Sequence, residues 1–553
     1  MASQALDQHA EGDELVEVKP GNSPKQDELA NSSDDDSDDE LEEFRAMMAS
    51  MKLDQVAVHT SQIRKSIQPD NQAEAFIVTE IGSPMFGSYN MLYPVIFGDG
   101  VRWLLRIPAN GTRDQFDEGD AESLRSEALT MRLIRRETTI PLPEVFAFDN
   151  SFENQINCPF ILISYIEGKK LSDVWHDKTS PKDIVQARRT RTLQDIAASM
   201  IQLDKFSFDK GGSLIFDQQD QLSGIGSLNP VDSADMHERL INEDPDESPI
   251  IIEQEPFSDP KAYYTSQLDL RGKKDDSFNT GATQFLRMFF ELMKEPCDGR
   301  KPFVVAHPDF DIQNIIVSED GELLGIIDWD GVSSVPRTVG NERYPGWLTR
   351  DWDPLMYSWN EDMEQGIKPD GRVWEDSPDA LKLYRSVYAS AMRSYQHNEA
   401  EPNTATLTTN SLIYENLYIA AAAPMCTPHI VIKVFEEIAA IVQADLEQRA
   451  ELDIESENGE ENFKVFSVLE AFGATVQSVL KALGAIVKSV LKALGATVQE
   501  ERQAELDVES ENGEEEFEVL SVLEALGENR LSEHCQKVLM DGIRKLVEGS
   551  AQL

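Results

Sequence analysis

Apolar runs, one amphipathic stretch and two polar flanks alternate along this chain. Three apolar runs, Phe76–Ile81, Met91–Phe97 and Val101–Pro108, are bounded by turn-forming residues and predict β-strands. Residues 121–139 then place apolar side chains at helical spacing, which predicts a helix with one face turned inward. The central region is therefore expected to begin with a small sheet followed by a helix.

Similar patterns predict the remaining elements. Two prolines, at positions 141 and 143, end the helix, and Cys158–Gly168 is an apolar run typical of a buried strand. Farther along, Ala380–Tyr395 and Leu412–Ala423 are predicted to be helices of a larger lobe.

The strongest chemical signal lies between two further apolar strands. The run Val304–Val317 leads a strand into a loop with His307, Asp309 and Asn314, and a second strand ends at Asp328. Phosphoryl transfer needs a positioned hydroxyl and cations that neutralise the phosphate oxygens. We predict that Asp309 accepts the proton of that hydroxyl and that Asn314 and Asp328 bind Mg²⁺. The alternative is two ordinary strand ends with solvated Asp residues.

These motifs resemble those of a known enzyme family. HPDFDIQN (residues 307–314) matches a His-x-Asp-x-x-x-x-Asn signature, and IDWD (residues 327–330) stands where protein kinases have Asp-Phe-Gly. Both are similar to the aminoglycoside phosphotransferase and choline kinase branch of kinases, in particular its large fungal set. The resemblance implies ATP and Mg²⁺ as cofactors and a two-lobed, protein-kinase-like α+β fold, with a small antiparallel-sheet N-lobe and a mainly helical C-lobe. No Ala-Pro-Glu element follows, which disfavours a protein kinase.

The resemblance extends to the phosphate-binding side of the fold. Gly82, Gly87 and Ser88 would form a lid whose backbone amides approach the nucleotide, although by themselves they indicate only a turn. Arg106 stands where the family has a phosphate-gripping Lys, and a planar guanidinium is not freely interchangeable with an ammonium. By resemblance, Glu127 pairs with Arg106; the alternative is a solvated residue on a helix surface.

Two further assignments come from the resemblance. Ser164, Tyr165 and Ile166 would lie at the hinge between the lobes and offer backbone groups to an adenine ring, whereas the alternative is a plain core strand. His307 is grouped with the catalytic residues, with a ring that bonds to backbone and shapes the loop.

Composition restricts the possible partners. The chain has 553 residues and a formal net charge of -51, which disfavours nucleic acid and anionic membranes. A neutral or cationic small molecule with a hydroxyl acceptor is favoured. Four widely spaced cysteines indicate a reducing compartment and no zinc ribbon. Because the first residues resemble neither a secretory nor a mitochondrial leader, we expect a cytoplasmic protein.

Changes in composition divide the chain into four parts. Residues 1–72 are acidic and polar and are predicted to form a disordered tail. The N-lobe is placed at residues 73–167 and the C-lobe at residues 168–443, with a partly ordered insertion at 208–280. Residues 444–553 are predicted to form an acidic, repeat-containing helical extension.

The extension contains an internal duplication. Residues 450–473 recur as residues 504–527 with five substitutions, and an eleven-residue unit repeats between the two copies. The apolar positions of this unit share one helical face, which could pack on the catalytic lobe, bind a partner protein or lie on a membrane. Interspersed lysines disfavour a transmembrane span, and the acidic flanks disfavour anionic lipid.

The sequence as a whole predicts an ATP-dependent small-molecule kinase. The main alternative is a catalytically inactive kinase-like scaffold that recruits proteins through its acidic and helical tails, and Arg106 together with the irregular lid supports it. A protein kinase is a second alternative. No motif identifies the acceptor, and the family resemblance does not imply antibiotic resistance.

Overall fold

A computed structural model of the chain shows two lobes, and the polypeptide passes from one to the other after Ser164. The residues that the structure describes, to which all statements below refer, are 44–67, 76–242, 250–271, 277–293, 299–368, 373–395, 404–454, 518–531 and 533–549.

A six-stranded antiparallel sheet forms the N-lobe. Its strands lie in the order β1–β3–β4–β6–β5, and the short β2 pairs with β3. Alternate side chains of β3 are buried, as expected for a strand with one face on the core. The strands are β1 Val78–Ile81, β2 Met85–Phe86, β3 Asn90–Phe97, β4 Arg102–Pro108, β5 Val145–Asp149 and β6 Phe160–Ser164.

Two helical segments precede this sheet and pack on it. They are residues 44–50 and helix α1 (Leu53–Ile67). Phe44, Met47 and Val56 are buried in one apolar cluster with sheet residues such as Trp103. Residues 44–67, predicted to belong to a disordered tail, are therefore helical instead, because their apolar side chains cover a face of the sheet. Residues 1–43 and 68–75 lie outside the described residues.

Helix α2 (Glu118–Glu137) packs on β5 and β6 and also contacts β9 (Gly212–Phe216) of the C-lobe. Its first turn has a capping box, in which the Asp117 side chain accepts from the Asp120 backbone N–H and the Asp120 side chain accepts from the Asp117 N–H. The helix that carries Glu127 is thus fixed at its start and along its buried face.

The C-lobe contains two small antiparallel sheets and most of the helices. One sheet has the strand order β10–β9–β14–β11–β8, and the other has the order β13–β12–β7. Besides β9, the strands are β7 Lys169–Lys170, β8 Ser207–Phe208, β10 Leu222–Gly226, β11 Phe303–Ala306, β12 Ile315–Val317, β13 Leu323–Ile326 and β14 Ser333–Pro336. The helices are α3 Leu171–Trp175, α4 Lys182–Met200, α5 Ser233–Ile241, α6 Pro260–Leu270, α7 Ser277–Leu292, α8 Glu361–Glu364, α9 Pro378–Tyr395, α10 Thr404–Ala422, α11 Thr427–Ile454, α12 Glu518–Gly527 and α13 Glu533–Gly549.

The described residues of the predicted insertion, 208–280, contribute regular structure to this lobe. Strand β9 pairs with β14, which in turn pairs with β11. Helix α6 supplies Tyr264, whose buried hydroxyl lies 2.5 Å from the Thr338 hydroxyl and whose ring stacks on Phe290. Turn-rich composition concealed these elements, because the short strands are stabilised by partners distant in sequence.

The last described helices, α12 and α13, pack on the C-lobe. Helix α12 lies so close to α7 that a Cβ on Gly281 would overlap the backbone carbonyl of Leu523. The end of the second repeat copy therefore packs on this lobe, whereas residues 455–517, with the eleven-residue units, lie outside the described part. No helix of the described residues is long and apolar enough to cross a membrane.

Candidate active site

The loop between β11 and β12 holds Asp309 by its own neighbours. The Asp309 carboxylate is exposed, and its Oδ2 accepts hydrogen bonds from Asn314 Nδ2 at 2.7 Å and from Gln313 Nε2 at 2.9 Å. Asn314 Nδ2 also lies 2.9 Å from the Asp309 backbone carbonyl oxygen. Two donors on one carboxylate oxygen fix the orientation of the candidate base.

The imidazole of His307 is buried beneath this loop. Its Nε2 donates to the Ile327 carbonyl oxygen at 2.9 Å, and the ring packs edge-to-face on Trp329 with 4.7 Å between centroids. Burial lowers the pKa of His307 to about 4, and the ring is therefore neutral near pH 7. The ring thus ties the Asp309 loop to the chain that leads into Asp328.

Arg343, which no sequence motif predicted, supports the same loop. Its Nη2 donates to the His307 carbonyl oxygen at 2.9 Å and lies 3.3 Å from that of Pro308, while its Nη1 forms an ion pair with Glu415 at 2.9 Å. Both charged side chains are largely buried. Glu415 lies on α10, remote in sequence, and no local motif could have revealed the pair.

After β13 the chain turns sharply at Asp328. This residue has φ +64°, a left-handed conformation that Asp tolerates better than most residues. The turn buries Trp329, whose Nε1 donates to the Ile326 carbonyl oxygen at 2.9 Å. The side chains of Asp328 and Asp330, on either side of it, stay 51% and 47% exposed. Asp330 was not predicted as a site residue, although the alternation of acidic and aromatic residues at positions 328–330 was a usable signal.

Arg106 and Glu127 form a buried ion pair on the opposite, N-lobe side of the cleft. Arg106 Nη1 lies 2.5 Å from Glu127 Oε1, as the family resemblance implies. Arg106 Nη2 lies 3.0 Å from Asp330 Oδ2 and 4.0 Å from Asp328 Oδ1. One guanidinium therefore connects helix α2 with the loop that follows β13.

The grouping of these charges alters their protonation. Burial opposes the charge of Arg106, but Glu127 and Asp330 outweigh this effect and raise the pKa of the guanidinium. Burial raises the pKa of Glu127 to about 7 despite the attraction of Arg106. Burial also raises the pKa of Asp328, with Arg106 acting in the opposite direction. A divalent cation near these carboxylates would favour their charged forms.

The predicted lid corresponds to the hairpin of β2 and β3. Gly87 and Ser88 lie in its exposed turn, whereas Gly82 follows β1. The N–H of Gly82 donates to the Pro94 carbonyl oxygen at 2.8 Å, and the N–H of Gly87 donates to that of Asn90 at 2.9 Å. Both glycine N–H groups therefore donate within the sheet and hairpin in this structure, rather than facing a phosphate.

The predicted hinge lies where the chain leaves β6. The Ser164 N–H donates to the Glu144 carbonyl oxygen at 2.9 Å, and the Tyr165 N–H donates to that of Arg102 at 3.2 Å. Ile166 packs over Gly325, where a Cβ would overlap the Ile166 side chain. The N–H groups of Ser164 and Tyr165 thus make N-lobe bonds here, and the assignment of hinge backbone groups to an adenine ring stays a prediction.

A second group of charges that no sequence motif predicted lies beside the Asp309 loop. Arg350 pairs with Asp311 at 3.1 Å and lies 3.6 Å from Glu375. Burial raises the pKa of Asp311, and it raises that of Glu375 to about 7. The Gly346 N–H donates to the Phe310 carbonyl oxygen at 2.8 Å. The segment around residue 346 is therefore hydrogen-bonded to the loop that carries Asp309.

The oxygen atoms around Asn314 and Asp328 fit a hard cation. Asn314 donates its Nδ2 to Asp309, which leaves its Oδ1 as the amide atom for a metal. Its backbone carbonyl accepts from the Ile327 N–H at 2.9 Å, a bond that joins the two loops. No group of three or more His, Cys, Asp or Glu side chains suited to a metal occurs within the described residues. One carboxylate and one amide nevertheless suit Mg²⁺, which binds few protein ligands when it shares substrate phosphates.

A family model described as "Phosphotransferase enzyme family" matches residues 90–338. The matched region runs from β3 to beyond β14 and includes Arg106, Glu127, Asp309 and Asp328. The part of the chain that is similar to this family therefore holds the candidate site. Together with the two lobes and the antiparallel sheets, the match confirms both the family resemblance and the protein-kinase-like fold.

Curated relatives of this chain include proteins from yeasts. They include "Altered inheritance of mitochondria protein 9, mitochondrial" of Candida albicans, 29% identical over 140 residues, which are 25% of this chain and 22% of the relative. The protein of the same name from Debaryomyces hansenii is 27% identical over 156 residues, 28% of this chain and 24% of the relative. The chain therefore spans less than a quarter of the length of either relative. Both names state a mitochondrial location, and the prediction of a cytoplasmic protein is wrong by this comparison.

Similar solved structures include a phosphotransferase and a kinase. A macrolide 2'-phosphotransferase from Brachybacterium faecium shares 10% identity and has a TM-score of 0.31, with 61% of this chain and 83% of that chain covered. An ethanolamine kinase from Plasmodium vivax shares 13% identity and has a TM-score of 0.32, with 65% and 78% covered.

Proposed function

We propose that this protein transfers the γ-phosphoryl group of ATP to a hydroxyl of a small molecule in a Mg²⁺-dependent reaction. The observation that carries the proposal is the connection between two loops. The Asn314 side chain fixes Asp309, and the Asn314 backbone carbonyl accepts from the residue that precedes Asp328. A base and two metal ligands are thereby held in one hydrogen-bonded unit.

Asp309 is the residue that we assign as the base. Its Oδ2 already accepts from Asn314 and Gln313, and we assign Oδ1 to the proton of the acceptor hydroxyl. A carboxylate held in this way removes the proton as the oxygen attacks the phosphorus, and such a base contributes on the order of 10²–10⁴-fold to rate.

Asn314 and Asp328 would hold Mg²⁺, which neutralises charge on the phosphate oxygens when bound. Arg106 faces the same space from above. Glu127 holds Arg106 Nη1, and Arg106 Nη2 lies near the loop of Asp328. The second edge of the guanidinium can therefore grip a phosphate in place of the carboxylates of this loop while the first edge stays anchored. This division of roles supports activity in spite of the replacement of Lys by Arg.

The acceptor is proposed to be a neutral or cationic small molecule. Asp309, Asp328 and Asp330 are all exposed at the cleft, and the whole chain carries a net charge of -51. Such a field attracts cations and repels anionic acceptors that lack their own metal. A protein partner for the C-terminal helical segment stays a prediction.

The inactive scaffold remains as a second candidate because of one observation. Arg106 Nη2 already has two carboxylates within 4.0 Å, so that the phosphate-gripping group is partly occupied by the protein itself. A scaffold of this kind would need no Mg²⁺–ATP.

A metabolite screen separates these functions. Purified protein is incubated with Mg²⁺–ATP and a panel of aminoalcohols and sugars, and mass spectrometry detects the gain of one phosphate. Asp328→Ala serves as the matched inactive variant. We expect a product with the wild type alone. Folded wild-type protein that neither binds Mg²⁺–ATP in calorimetry nor forms a product would support the scaffold, and autophosphorylation on Ser or Thr would support a protein kinase.

A further inference from the structure

One carboxylate oxygen joins the lid, the phosphate-gripping arginine and the floor of the cleft. Asp330 Oδ2 accepts from Asn90 Nδ2 at 3.1 Å and lies 3.0 Å from Arg106 Nη2. Asn90 is the first residue of β3, directly after the lid turn, and Arg106 lies on the neighbouring strand β4. Asp330 itself belongs to the C-lobe. The side chain therefore bridges the cleft from one lobe to the other.

The two ends of the Arg106 guanidinium are held unequally. Nη1 makes a short hydrogen bond to buried Glu127. Nη2 is also buried, but among the described residues no atom accepts a hydrogen bond from it with good geometry, and its contact with Asp330 is an ion pair only. A buried donor without a well-directed acceptor gains when a better acceptor arrives. Nη2 is thus the end of the guanidinium that can change partner.

We propose that Asp330 is a latch, which holds the lid and Arg106 together across the cleft until a nucleotide phosphate displaces it. The inference rests on the proposed function, because the phosphate is that of the nucleotide. A phosphate offers several charged oxygens to a guanidinium edge, whereas the Asp330 carboxylate is half exposed and gains little from its ion pair. Glu127 keeps the guanidinium in place during the exchange.

The latch lowers nucleotide affinity in the absence of metal. A nucleotide must first break the contacts that Asp330 makes with Asn90 and Arg106. The free energy of those contacts is therefore subtracted from the binding free energy, and the apparent affinity of the nucleotide falls. The carboxylate also repels the incoming phosphates. Removal of its charge should therefore tighten metal-free binding, by about fivefold for a half-exposed ion pair.

The first test replaces the charge and keeps the shape. Asp330→Asn is compared with Asp220→Asn, because Asp220 is 50% exposed and also pairs with an arginine, Arg125, at 2.6 Å. ADP binding is measured by calorimetry in the presence of a chelator. We expect about fivefold tighter binding for Asp330→Asn and no change for Asp220→Asn. Unchanged or weaker binding for Asp330→Asn would overturn the latch.

The second test follows the lid without any nucleotide. Asn90→Ala should speed hydrogen exchange of the amides in residues 85–92 several-fold. The same change should add nothing in an Asp330→Ala background, because both substitutions break the hydrogen bond between Asn90 and Asp330. Independent effects in the double variant would overturn the latch. A wild type that does not bind Mg²⁺–ATP would contradict the proposed phosphotransferase function, and the exchange result would still decide whether Asp330 holds the lid.

Discussion

The two walls of the cleft hold their charges in opposite ways. On the N-lobe wall, the side chains of Arg106 and Glu127 are only 10% and 7% exposed and face each other. On the C-lobe wall, Asp328 and Asp330 are about half exposed and extend from a turn. A buried pair cannot exchange partners without leaving a charge in a low dielectric, whereas exposed carboxylates exchange at little cost. The N-lobe wall is thus an anchor, whereas the carboxylates of the C-lobe wall can change partner.

The largest expected effect follows from breaking the anchor. Arg106→Ala leaves Glu127 buried without its partner and should lower the free energy of unfolding by roughly 3–5 kcal/mol. Arg102→Ala is the matched control, because Arg102 lies on the same strand and pairs with an exposed carboxylate of Glu167; we expect a loss of about 1 kcal/mol or less. Urea unfolding measures both. Equal losses in the two variants would show that burial of the Arg106–Glu127 pair does not make it a stronger anchor than an exposed ion pair.

The next effect concerns the reaction itself. Asp309→Asn removes the candidate base from the C-lobe wall but keeps the shape of the side chain, and turnover should fall about a hundredfold or more with little change in nucleotide affinity. Single-turnover kinetics and calorimetry measure the two quantities. Asp320→Asn, an exposed residue in the turn between β12 and β13, is the control. Normal turnover in Asp309→Asn would exclude this base.

His176 in the C-lobe and Glu127 in the N-lobe should change the free energy of unfolding in opposite directions as the pH falls. In the C-lobe, burial lowers the pKa of His176, which follows helix α3, to about 4. Asp376 lies 3.8 Å away and opposes the shift, whereas the nearby cations Arg189, Lys178 and Arg350 act with burial. The unfolded chain then binds more protons than the folded one between about pH 6.5 and 4. The stabilising effect of neutral His176 is therefore complete above pH 6.5 and is lost as the pH falls toward 4.

Glu127 on the N-lobe wall has the opposite dependence. Its pKa is raised to about 7, and its contribution to the free energy of unfolding is complete below about pH 4.5 and is lost as the pH rises through 7.

The dependence on His176 can be tested by substitution. The free energy of unfolding should fall between pH 7.5 and pH 5, and we expect this fall to be about 2 kcal/mol smaller in His176→Gln than in the wild type. Urea titrations at both pH values provide the measurement. An undiminished loss in the variant would mean that His176 does not titrate in this range.

The smallest effect concerns the support of Asp309. Gln313→Ala removes one of the two donors on Asp309 Oδ2, and turnover should fall several-fold, in line with about 1 kcal/mol for one hydrogen bond. Because Asn314 still holds the same oxygen, nucleotide affinity should not change. A loss in Gln313→Ala as large as that in Asp309→Asn would indicate that Gln313 itself touches the acceptor.

The sequence alone was sufficient for elements whose signal is local. The strand–loop–strand with His307, Asp309 and Asn314 has a fixed spacing, and the helix that carries Glu127 has a regular apolar stripe. Both features depend only on residues that are close to each other in the sequence. The β2–β3 hairpin was visible for the same reason, although its glycine N–H groups are used within the sheet and hairpin.

Only the tertiary structure revealed the rest. The helices of residues 44–67 sit in a polar flank, and their few apolar residues become meaningful only against the sheet. Arg343 and Glu415 come from distant parts of the chain and meet behind the catalytic loop. The bridge from Asp330 to Asn90 and Arg106 likewise spans both lobes.

The amino-acid sequence by itself determined which side chains are available at the candidate site, because two carboxylates and an amide at short spacing are a property of the local chain. The tertiary structure decided which charges are anchored and which can change partner. Burial and the distance between charges set that difference, and both depend on how remote segments pack together.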